Sequence, residues 1–85
     1  METVEVIKNS NILFFIATNI EKKETFYIKI LEAFHKESID ELMNKGYVLK
    51  KASAIDWEYA IINLKGVTVY QIGSKEELYY FINSL

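Results

Sequence analysis

The residues with catalytic potential are few, and each stands apart from the others. His35 is the single histidine. A serine or threonine nucleophile would need it as a base, with a third group to hold the ring. Ser38 and Ser74 are better matched to helix caps, and Ser10, Ser53 and Ser84 sit in no glycine-flanked turn that would present a nucleophile. Asp56 and Glu58 lie two residues apart, so on a strand their carboxylates share one face. Such a pair suits Mg²⁺ binding or acid–base work, but it also guards a strand against edge pairing. Glu76 and Glu77 fall in the first turn of an expected helix, where negative charge offsets the helix dipole. Gly46, Gly66 and Gly73 are too scattered to form a phosphate-cradling loop. The absence of cysteine excludes disulfides and thiolate zinc sites. The chain reads as non-enzymatic, with no catalytic residue, metal or cofactor expected.

A nucleic-acid surface is the alternative chemistry. Lys50 and Lys51 near Tyr47 would offer phosphate contacts on one strand, and an aromatic ring such as Trp57 or Tyr59 would stack on a base. All ten basic residues are Lys, so the Arg–guanine readout is missing. The formal net charge of −2 opposes a general electrostatic footprint. Nucleic acid is therefore an unfavoured partner.

The elements that position these residues follow from periodicity. An 85-residue chain has room for one domain, spanning 1–85, and half of its residues are apolar, enough for a core. Thr3–Ile7 alternates as a strand, Lys8–Asn11 is a turn, and Ile12–Thr18 is a second strand, predicting a hairpin. The segment from Asn19 to Glu37 reads as a helix capped by Asn19, or as a strand over Thr25–Leu31. Ser38-Ile39-Asp40-Glu41 matches a capping box, and its helix should stop at Gly46. Tyr47–Ser53, Trp57–Leu64 and Val67–Ile72 read as strands. A last helix begins at the second capping box, Ser74–Glu77. The expectation is an α+β domain: a small antiparallel sheet of about five or six strands, with two or three helices packed mainly on one face.

Two of those strands are apolar on both faces. Ile12, Phe14 and Ile16 alternate with Leu13, Phe15 and Ala17, while Trp57, Tyr59 and Ile61 alternate with Ala60, Ile62 and Leu64. Antiparallel sheets ordinarily keep one wet face, so either the chain crosses the second face or another protein covers it. Trp57, Tyr59 and Tyr80 are the expected partner-binding residues, since Trp and Tyr are the common interface anchors. The partner is another protein chain, either a host protein or a second copy as a homodimer. Lys, Asn, Ile, Tyr, Phe and Met dominate, and Arg and Pro are absent, which points to an AT-rich genome such as that of a phage or mobile element. A small accessory factor that binds and inhibits or redirects a host protein fits this profile. Met1–Glu5 carries acid where a secretory leader carries Lys or Arg, and the longest apolar run ends after Ile12–Ala17. No membrane association and a cytoplasmic location are expected.

Overall fold

The computed structural model describes residues 11–85; the strand expected at Thr3–Ile7 lies outside them. The chain enters a β-hairpin of β1 (Ile12–Asn19) and β2 (Glu24–Leu31), in register from Ile12 opposite Leu31 to Asn19 opposite Glu24. Strand is thus the outcome for the segment that read either way. Its alternation decides this, because Phe26, Ile28 and Ile30 all bury on one face. Asn19 does not cap a helix. Its Oδ1 accepts a hydrogen bond from the Lys22 backbone N–H at 3.1 Å, closing the hairpin loop. Its Nδ2 donates to the Lys45 carbonyl at 3.2 Å, tying that loop to the end of the first helix.

A short 3₁₀ turn, Glu32–Phe34, feeds α1 (His35–Asn44). The helix begins ahead of the predicted capping box, so Ser38 lies inside it, fully buried, with its hydroxyl donating to the Phe34 carbonyl at 3.0 Å. The predicted stop is where it should be. Gly46 has φ +89°, the Tyr47 N–H reaches back to the Leu42 carbonyl, and the Gly46 N–H to that of Met43. This is the doubly bonded left-handed ending that glycine permits. Next come β3 (Val48–Ala52), α2 (Ala54–Asn63), β4 (Thr68–Ile72) and α3 (Lys75–Ser84). The Trp57–Leu64 strand of the sequence reading is therefore mostly helix.

Among the described residues the sheet has four strands in the order β3-β1-β2-β4, and it is mixed. β1 is antiparallel to β2 and β3, whereas β2 and β4 are parallel. The expected five or six strands become four described ones because 57–64 is mostly helix and Thr3–Ile7 lies outside the described residues. The expected antiparallel sheet is mixed because β2–β3 and β3–β4 are joined by helices, the crossovers that parallel pairing needs. β1 has β2 on one side and β3 on the other from Phe14 to Thr18, so along that stretch it offers no edge for the predicted upstream hairpin partner.

The connections also explain why one helix leaves the others. From β2 to β3 the chain crosses the sheet in one direction, and from β3 to β4 it crosses back. Two crossovers of the same hand, as chirality demands, must then use opposite faces. Phe14 and Phe15 show the result. Phe15 stacks on His35 of α1 at 5.3 Å between ring centroids, while Phe14 meets Trp57 of α2 at 5.9 Å. Helices α1 and α3 thus share one face, so the helices do lie mainly on one side, and α2 alone covers the other. The core lies under α1 and α3, where Ala17, Phe26, Ile28, Ile30 and Ile72 of the sheet meet Leu42, Tyr47, Leu78 and Phe81. Complete burial of Phe81, Leu42, Ile28, Ile30 and Ile72 contributes about 1.5–3 kcal/mol per side chain. No helix among the described residues is long and apolar enough to cross a membrane.

Candidate interaction surface

Helix α2 is built from its first turn. Ser53 Oγ accepts from the Asp56 N–H at 3.1 Å, and the Asp56 carboxylate accepts from the Ser53 N–H at 3.2 Å. This reciprocal cap satisfies two amides that a helix start leaves free. The helix ends before Leu64, and Gly66 at φ +76° turns the chain into β4. Trp57 and Ala60 are its buried residues, pressed on the sheet. Trp57 therefore anchors α2 from inside, only 7 % exposed, and does not stand on a surface with Tyr59.

The outer side of the same helix is also apolar. Ile55, Tyr59 and Ile62 are 79, 59 and 78 % exposed. On a helix turning about 100° per residue they lie within about 60° of one another, directly opposite Trp57. Glu58 borders this stripe on one side and Asp56 on the other, both exposed. Asp56 and Glu58 are consequently separated across a helix rather than paired on a strand, so the carboxylate pair weighed for metal or acid–base chemistry is not formed. A helix with one apolar stripe is the ordinary surface helix, and one that is apolar all round is ordinarily buried. Here the second stripe has nothing over it among the described residues.

The other sequence-derived candidates are spread over the molecule. Tyr80 is 71 % exposed on α3, on the opposite side of the sheet from Tyr59, so no single patch holds Trp57, Tyr59 and Tyr80. With Glu76 and Glu77 of α3 and Val69, Tyr70 and Gln71 of β4, it lines an open groove of about 540 Å³. Glu77 completes a local cap there, accepting from the Gly73 N–H at 3.1 Å and the Ser74 hydroxyl at 3.2 Å. Tyr47 is buried at 4 % exposure, and its hydroxyl donates to Glu24 Oε2 at 2.6 Å. Burial, then the hydrogen bond and the negative charge of Glu24, push its pKa up from 10.0 to about 12. Lys50 and Lys51 are exposed on β3, opposite Ile16 and Phe15 of β1. Successive strand residues point to opposite faces, so Tyr47, Lys50 and Lys51 make no common surface. His35 spends its ring on Phe15.

Sequence reasoning passed over Ile55 and set Ile62 on the strand face opposite Tyr59, where the helix brings the two together. The signal that would have found them is Ser53-Ala54-Ile55-Asp56, a cap pattern with Asp in place of Glu. Accepted as a helix start, it places both isoleucines opposite Trp57. No family model, no curated protein and no solved structure matches this chain.

Proposed function

We propose that this chain is a non-enzymatic protein-interaction module, an accessory factor of phage or mobile-element type that modulates a host protein by docking through the outer face of α2. The observation that carries the reading is the Ile55–Tyr59–Ile62 stripe, turned to solvent opposite the anchoring Trp57. Burying one such isoleucine against a partner gains about 1.5–3 kcal/mol relative to leaving it in water. Among the described residues, the hydroxyls of Ser38, Ser53, Ser74 and Ser84 serve helices, and His35 stacks.

The acids beside the stripe set the partner's chemistry. Glu58 and Asp56 favour an apolar groove rimmed by Lys or Arg, which rewards a charged rim with specificity and association rate. A second copy is the poorer occupant. Two α2 helices related by a two-fold axis would set acid against acid.

The test pairs binding with folding. A host protein captured by the wild-type chain is purified and titrated against wild type and against Ile55→Ser/Ile62→Ser. The double variant should keep the wild-type melting temperature and lose affinity by at least about a hundredfold, the scale of two truncated anchors. Undiminished affinity in a folded double variant would remove α2 as the docking face. Loss of folding would show that these side chains belong to the interior.

A further inference from the structure

We infer that the outer edge of β4, which no other strand pairs among the described residues, is a second docking site, taking an extended peptide with basic side chains as an added strand. The two edges of the sheet are treated differently by the sequence. β3 carries Lys50 and Lys51 at its centre, both exposed, and edge lysines are a standard defence against pairing with another chain. β4 is Thr68-Val69-Tyr70-Gln71-Ile72, without a charge, proline or glycine. Its other side is occupied by β2 through a parallel ladder from Phe26–Thr68 to Ile30–Ile72. Every second residue of β4 therefore directs its N–H and C=O outward, away from that ladder.

Beside this unguarded edge lies the groove floored by Val69, Tyr70 and Gln71 and walled by Glu76, Glu77 and Tyr80. No β2 residue lines it, so it opens outward from β4 toward α3. Strand addition draws affinity from main-chain hydrogen bonds and specificity from pockets that take alternate side chains. Both parts are present here. The groove receives the side chains on the α3 side of an added strand, and its wall fixes their sign. Glu77 is held in place by Gly73 and Ser74, and Glu76 is exposed next to it. Lys or Arg side chains complement these carboxylates, with the Tyr80 ring beside them for the aliphatic stem or the cation. A second copy pairing β4 with β4 would bring both acidic walls to one junction, which disfavours self-association. This site stands on the sheet edge alone and does not depend on the α2 surface.

The experiment is backbone amide exchange followed by NMR on the full chain, with the synthetic peptide acetyl-Lys-Val-Lys-Val-Lys-Val-amide as probe. At peptide concentrations tenfold above the dissociation constant, alternate amides of Thr68–Ile72 should exchange about tenfold more slowly. The same peptide N-methylated at alternate residues, and the version with Glu for Lys, should give no protection. Glu76→Lys in the protein should weaken the lysine peptide, while Ile55→Ser/Ile62→Ser should bind it as wild type does. Unchanged exchange at β4 with the lysine peptide, or equal protection by the glutamate peptide, would overturn the proposal. So would protection of these amides before peptide is added. If that protection grows with protein concentration, a second copy occupies the edge; if it is lost in Val4→Gly/Val6→Gly, the chain's own Thr3–Ile7 segment does.

Discussion

At the scale of single residues, the polar groups that looked available are mostly spoken for by the fold. Tyr47 is the clearest case, a buried phenol whose hydroxyl is fixed to Glu24 and whose pKa is pushed up to about 12. The folded state then holds that proton more tightly than the unfolded chain, whose tyrosine titrates near 10. The resulting stabilisation is complete below pH 10 and is lost as pH rises toward about 12. Urea midpoints measured from pH 8 upward should therefore fall across this window in wild type, and fall less in Tyr47→Phe. At neutral pH the same variant should lose about 1 kcal/mol, one hydrogen bond's worth. Gly46 supports a second prediction. A Cβ there would meet only Asn19 Nδ2 at 3.6 Å, an ordinary contact, so Gly46→Ala isolates the effect of φ +89°. It should cost about 1–2 kcal/mol in a denaturant titration, the price of a left-handed L-residue.

At the scale of elements, α2 carries both the fold's second layer and the proposed function, and it was the element least legible in the sequence. Residues 57–64 read as a strand because they are aromatic, β-branched and apolar on both alternating faces. A helix that anchors on a sheet with Trp57 and Ala60 and presents Ile55 and Ile62 outward leaves its charged residues, Asp56 and Glu58, only the margins between two apolar stripes, so its 3.6-residue period is masked. Where the period was clean the reading held. The helix from Ser74, the strand before Ser53, the strand into Ile72 and the stop at Gly46 all appear. Ser38-Ile39-Asp40-Glu41 misled for a different reason: the 3₁₀ turn at Glu32–Phe34 starts the helix without any side-chain cap. Two substitutions test α2 as an element. Ser53→Ala should lower stability by about 1 kcal/mol through loss of the cap. Trp57→Ala should cost about 3–5 kcal/mol and release the helix from Phe14, seen as loss of the near-UV circular dichroism of that pair.

At the scale of the whole molecule, strand order was beyond a sequence reading because it depends on which face each crossover takes. The central pair, β1 and β2, is flanked by β3 and β4 and lies between helices on both faces. Their amides should exchange only through global unfolding, while outward amides of β3 and β4 exchange through smaller openings. Native-state exchange at low denaturant should separate the two classes, and equal protection across all four strands would contradict a centre built around the hairpin.

That arrangement has a consequence for synthesis on the ribosome. The hairpin is made first, yet both strands that flank it come later in the chain, β4 only at Thr68–Ile72. At about 5–20 residues per second, a nascent chain that has just completed Leu31 waits seconds for its last strand. The β2 side of the hairpin stays open for the whole of that interval, and α1 and β3 arrive only part-way through it, so slowed translation should leave these aromatic and aliphatic side chains uncovered for longer.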